Sequence, residues 1–143
     1  MKLYYSTGAC SLSPHIILNE SDIDFTAVPV DLKNKKYAGG DFSKVNPKGY
    51  VPVLELDSGE LLTEGAVIVQ YIADQVPAKK LIPEAGTMAR YRMQEMLNFI
   101  STEVHKTFSP LWGNDTPDAY KSIVRENLNK KFDYLNKELL GKD

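Results

Sequence analysis

The first thirty residues leave the chain few ways to fold. Lys2 to Tyr5 reads as a short strand, and Thr7, Gly8, Ala9, Cys10, Ser11, Leu12, Ser13 and Pro14 then supply turn residues, hydroxyl caps and a proline suited to a helix's first turn. The apolar positions of that helix, Ile16, Ile17, Leu18 and Ile23, fade at Ser21 and Asp22, and Phe25 to Val30 reads as a second strand. Strand, helix and strand within about thirty residues is the size of a parallel crossover unit.

Beyond it, the stretch from Lys33 to Asn46 is polar and irregular, with Gly39 and Gly40 at its middle, and predicts a loop with at most a short helix. Val53–Leu56 and Glu60–Leu62 predict a hairpin across Asp57, Ser58 and Gly59. Thr63 is then placed to cap a helix from about Glu64 to Val76, with Val67, Ile68, Tyr71 and Ile72 on its apolar side. Prolines bracket a lysine-containing boundary at Pro77 to Pro83, and no strand pattern follows it. Met93, Met96, Leu97, Ile100, Val104, Phe108 and Leu111 recur at three- and four-residue steps, as do Tyr120, Val124, Leu128, Phe132, Leu135 and Leu139. Two long antiparallel helices joined near Gly113 to Pro117 follow from this. The organisation is an α/β domain over 1–76, a linker over 77–86 and an all-α domain over 87–143.

Composition narrows the chemistry. The 143 residues are 43% hydrophobic and 25% charged, with a formal net charge of -2, so the chain can bury a core and carries no basic stripe for a nucleic acid backbone. No apolar run approaches a membrane span and the N-terminus has no leader pattern, which makes a cytoplasmic address and no membrane partner the expectation. One cysteine cannot form an internal disulfide, and one Cys with two His falls short of the usual zinc ligand count, so no metal is expected.

That cysteine carries the sharpest chemical question. The first turn of a helix presents unpaired amides and a partial positive charge, which favour a thiolate, and Cys10 lies at such a turn. The neighbouring Ser11 hydroxyl is a candidate donor to a bound sulfur, while the plain alternative is a small buried cysteine. Without a second cysteine there is no internal dithiol cycle, so redox work needs an external thiol. Glu64, at the first turn of the third helix, is either an ordinary helix-start glutamate or a dock for a ligand's amino-acid end. His15 reads as a packing or capping residue. His105, beside Lys106, either reaches a cleft or sits on a solvated face, and the Met and aromatic series around it is core first and substrate wall second.

Taken together, these segments resemble the glutathione transferases, and among them the bacterial beta class, which has a cysteine in its active site. The resemblance is carried by Leu3, Tyr4 and Tyr5, then by Gly8 through His15, and by Val45, Asn46, Pro47, Lys48, Gly49, Tyr50, Val51, Pro52, Val53 and Leu54. It continues through Leu62, Thr63, Glu64 and Gly65 to Ile68 and through Tyr71 to Asp74, and ends with Asn98 through Lys106. It implies a thioredoxin-like N-terminal domain with a four-stranded mixed sheet and helices on both faces, followed by a helical domain that holds the electrophile pocket and dimer interface. Members of the family are longer, so that helical domain is expected to be incomplete over 87–143, with apolar faces partly uncovered.

The resemblance also implies a site. Val51, with a cis bond to Pro52, would pair through its backbone with the cysteinyl part of glutathione. Glu64 and Gly65 would hold the γ-glutamyl end and Cys10 the sulfur. Lys35 would hold the glycine carboxylate, with Lys33 and Lys36 in the same loop as alternatives. Asn98, Glu103, Val104 and His105 match positions that line the site, some reaching across a homodimer. Cys10, Ser11 and His105 are the implied catalytic residues, with glutathione as co-substrate and no other cofactor. The implied reaction is attack of the glutathione thiolate on a small apolar electrophile, a detoxification chemistry. A mixed disulfide at Cys10, giving reductase or peroxidase-like activity, and a binding or scaffold module with little catalysis are the alternatives.

Overall fold

A computed structural model describes residues 1–141, and the last two residues of the predicted 87–143 domain lie outside it. The chain forms two compact units, Met1–Glu84 and Ala85–Asp143.

In the first unit, β1 (Lys2–Tyr5) leads through α1 (Leu12–Ser21) to β2 (Thr26–Asp31), which pairs parallel with β1. β5 (Val53–Glu55) lies antiparallel on the other side of β1, and β6 (Leu61–Thr63) pairs antiparallel with β5. These four strands form the expected mixed sheet. The polar stretch read as a loop adds two more strands of two residues each, β3 (Lys36–Tyr37) and β4 (Gly40–Asp41), extending the sheet to the order β4-β3-β2-β1-β5-β6. Pairs this short carry almost no side-chain periodicity, so no strand pattern was legible there.

Strand alternation divides the core. Leu3 opposite Leu54 points to one face, and Tyr4 opposite Val53 points to the other. On the first face α1 and α2 (Gly65–Asp74) cover the sheet, and Leu3, Leu18, Leu54, Ile68 and Ile72 are fully buried, each contributing roughly 1.5–3 kcal/mol of apolar transfer. On the second face the cover is a single 3-10 turn, Phe42–Lys44, with Phe42 packed against Tyr4, Tyr37 and Val53. The expectation of helices on both faces is therefore corrected within this unit: α1 and α2 share one face, and an aromatic-anchored turn serves the other.

Two local readings also change. Ile16, counted with the apolar positions of α1, is exposed, while Leu18 is buried and Ile17 and Ile23 are half-buried against the core. Thr63 does not cap α2. It ends β6, where its hydroxyl accepts from Lys48, and Glu64 takes the capping position with its own carbonyl accepting from the Val67 and Ile68 amides at 2.9 and 3.0 Å.

The second unit is helical. α3 (Met88–Phe99) begins with Thr87, whose hydroxyl caps the Arg90 amide at 3.2 Å. The predicted first long helix then loosens into a π-helical turn over Ile100–His105 and a 3-10 turn over Lys106–Phe108 before α4 (Ser109–Trp112). Thr102 and Thr107 donate to the carbonyls four residues back, on Asn98 and Glu103, bonds of the kind that compete with the main-chain ladder. Pro110 has no amide to continue the ladder. α5 (Asp118–Leu139) runs unbroken, with Val124 and Leu128 buried at its middle and Tyr120, Phe132 and Leu139 exposed toward its ends.

Candidate functional site

The turn between β1 and α1 is held by Ser6 and Ser11. Ser11 is buried, its hydroxyl donates to the Ser6 carbonyl and accepts from the Ser6 amide, both at 3.1 Å, and the Ala9 amide bonds the same carbonyl at 3.2 Å. The Ser11 hydroxyl, expected to donate to a bound sulfur, is thus committed inside the turn. Its place there is structural: it closes the loop that presents Cys10.

Cys10 lies one residue ahead of the helix cap, exposed, with its Sγ donating to the Val51 carbonyl at 3.4 Å. Loss of solvent around the sulfur pushes this thiol above its ordinary pKa, with the Glu64 carboxylate adding to the rise and its own backbone amide opposing it. The expectation of a thiolate favoured by the helix start is corrected on this point. Cys10 precedes the Ser11 cap and so lies outside the first helical turn, and shielding together with the Glu64 charge outweighs the lowering by its own backbone amide.

Opposite the cysteine stands a loop organised by a buried amide. Asn46 donates from Nδ2 to the Tyr50 carbonyl at 2.8 Å, accepts the Lys48 amide on Oδ1 at 3.2 Å, and its carbonyl accepts the Gly49 amide at 2.8 Å. Gly49 has φ +71, a left-handed conformation that suits glycine. The chain then reaches the buried Val51, whose bond to Pro52 is cis, as the resemblance implies. Pro52 packs against Gly65 at the start of α2, at 3.7 Å from where a Cβ would stand.

Two lysines attend this loop. Lys35, itself at φ +52, lays its ammonium over Gly49, with Nζ 3.0 Å from the position of an added Cβ. Among Lys33, Lys35 and Lys36, Lys35 is the one set against Gly49, while Lys36 neighbours Asp31 and Asp41. Lys48 reaches the other way, to Glu64 Oε1 at 3.0 Å and Thr63 Oγ1 at 3.2 Å. Glu64 adopts φ 70, ψ 109, a strained conformation for a residue with a side chain.

The remaining candidates belong to the second unit. Asn98 and His105 are exposed, Val104 is buried, and the Glu103 carboxylate is paired with Lys131 at 2.6 Å. His15, read as a packing or capping residue, packs between Tyr5 and Phe25, tilted to the first ring and edge-to-face with the second, both ring centroids at 5.5 Å. Sequence reasoning overlooked Ser6, Asn46 and Lys48. The Asn-Pro-Lys-Gly run is a turn signal that points to Asn46 and Gly49, whereas nothing in spacing ties Lys48 to Glu64 sixteen residues on. Among the described residues no group of three or more His, Cys, Asp or Glu could hold a metal ion.

The glutathione S-transferase N-terminal domain family matches residues 7–75. The chain is 53% identical over 140 residues to glutathione S-transferase GstA of Escherichia coli O157:H7, covering 97% of this chain and 70% of that protein. A sphingomonad glutathione S-transferase solved in complex with glutathione superposes with a TM-score of 0.95 at 50% identity, and the beta class enzyme of Sphingomonas chungbukensis with 0.94 at 48%. Each match covers 99% of this chain and 71% of the solved one. The chain belongs to the glutathione S-transferase family, with that family's thioredoxin-like N-terminal fold.

Proposed function

We propose that this chain is a glutathione transferase that binds glutathione on its first unit and joins the tripeptide's sulfur to small apolar electrophiles. The observation that carries the reading is the convergence of an exposed Cys10 thiol, the Val51 and cis-Pro52 main chain and the Glu64 carboxylate around one loop. Among the described residues the Val51 amide has no acceptor, which leaves it for the cysteinyl carbonyl of an extended peptide. Lys35 takes the glycine carboxylate, Glu64 and Gly65 take the γ-glutamyl end, and the assembly is a homodimer.

In this reading the glutathione thiol gives its proton to solvent and its thiolate forms a carbon–sulfur bond, while the leaving group departs with its electron pair. Cys10, kept protonated, turns its S–H from the Val51 carbonyl to the glutathione sulfur and so favours the thiolate on the ligand rather than on the protein. The same protonation disfavours a mixed disulfide as the main chemistry. Glutathione is the co-substrate, detoxification the role and the cytoplasm the setting of this proposal. No helix is long and apolar enough to cross a membrane among the described residues.

The test is retention on immobilised glutathione followed by conjugation of a chromogenic electrophile. Retention with turnover supports the enzyme, retention without turnover favours a binding or scaffold module, and failure to bind removes the reading altogether.

A further inference from the structure

The ion pair beside the proposed γ-glutamyl position contains a charge that the transferase reading does not use. An exposed lysine–carboxylate pair adds little stability, commonly below about 1 kcal/mol, yet Lys48 is held with care. Its backbone is fixed by the buried Asn46, and its ammonium is shared between Glu64 Oε1 and Thr63 Oγ1. An ammonium has three donors, so these two bonds leave one, and Glu64 keeps Oε2 for a further partner. The strained backbone of Glu64 holds the carboxylate at this place, at the start of α2.

We infer that Lys48 and Glu64 together read the zwitterionic end of the ligand, Glu64 accepting its α-ammonium and Lys48 donating to its α-carboxylate. The inference rests on the proposal that the γ-glutamyl end docks at Glu64. A lone Glu64 would attract the ammonium of an α-amino acid but repel the carboxylate one carbon away, and the adjacent cation removes that conflict. Lys35 over Gly49 and Lys48 at Glu64 then give the loop one ammonium for each of the tripeptide's two carboxylates. Lys48 is thereby a specificity determinant for ligands with an intact amino-acid terminus.

Calorimetric binding to the whole chain separates the alternatives, using glutathione and γ-aminobutyryl-cysteinyl-glycine, which lacks only the α-carboxylate. Lys48→Met is expected to weaken glutathione by about tenfold while changing the truncated ligand by less than about twofold, and Lys48→Arg is expected to restore most of the loss. Equal weakening of both ligands would overturn the inference, because Lys48 would then act only by holding the loop or Glu64. Tighter glutathione binding would overturn it too, making Lys48 a competitor for the carboxylate, as would no change. Glu64→Gln tests the underlying reading separately: if it leaves glutathione affinity unaltered, the γ-glutamyl end does not dock at Glu64, whatever Lys48 does. Thermal melts of each variant confirm that binding is compared between folded proteins.

Discussion

At the scale of single residues, Cys10 and Glu64 are coupled by charge, the carboxylate helping to raise the thiol above its ordinary pKa. The raised pKa of the thiol means that at any given pH a smaller fraction is thiolate than in free cysteine, so alkylation of Cys10 by iodoacetamide is expected to be slower near neutrality and to reach half its maximal rate at higher pH. Glu64→Gln removes the negative charge that contributes to the shift, and the alkylation profile should move toward lower pH. A profile unmoved by that change, followed by mass spectrometry, would show that the carboxylate does not act on the sulfur. The linkage has a definite sign. The folded state holds the thiol proton longer than the unfolded chain, so this contribution to stability is complete below the ordinary thiol pKa and lost as pH rises through the higher folded value. Cys10→Ala should also abolish any glutathione adduct visible by intact mass, since no other thiol exists.

Among elements, β5 and the start of α2 carry the fold and the site respectively. Leu54 is fully buried between Leu3 on β1 and Leu62 on β6, so Leu54→Ala is expected to cost about 2–5 kcal/mol by urea denaturation. A loss under about 1 kcal/mol would mean that the sheet face collapses onto the void more readily than close packing allows. Glu64 shows the opposite economy. Its positive φ is strained, and Glu64→Gly should stabilise the unit by roughly 1 kcal/mol while weakening glutathione binding. A gain in melting temperature together with a loss of affinity is the expected pair of results; destabilisation would mean that the ion pair with Lys48 outweighs the backbone strain.

For the whole molecule, the notable feature is apolar surface on the helical unit. Ile100, Ile123, Phe132 and Leu139 are exposed there, beside Trp112 at 79% and Leu140 at 85%. Surface of this kind favours association, and a homodimer is the assembly proposed. Light scattering coupled to size-exclusion chromatography is expected to return about twice the 16.0 kDa of one chain, and Ile123→Glu or Trp112→Ala to lower that mass if these faces meet. A monomer at every concentration tested would remove the dimer and with it any glutathione contact made across it.

What the sequence by itself determined was what local pattern can encode. The βαβ start, the hairpin across Asp57–Gly59, the two helical periodicities and the cysteine ahead of a helix follow from turn chemistry and from spacings of two or of three to four residues. The Asn-Pro-Lys-Gly and Thr-Glu-Gly runs then carried the family. Tertiary structure decided which neighbours each of those groups meets. The Ser11 hydroxyl is spent on Ser6, the Cys10 thiol is shielded against the Val51 carbonyl from forty-one residues away, and Lys48 is delivered to Glu64. Protonation and hydrogen-bond commitments depend on distances between segments remote in sequence, and only the packing of the sheet and its loops sets those distances.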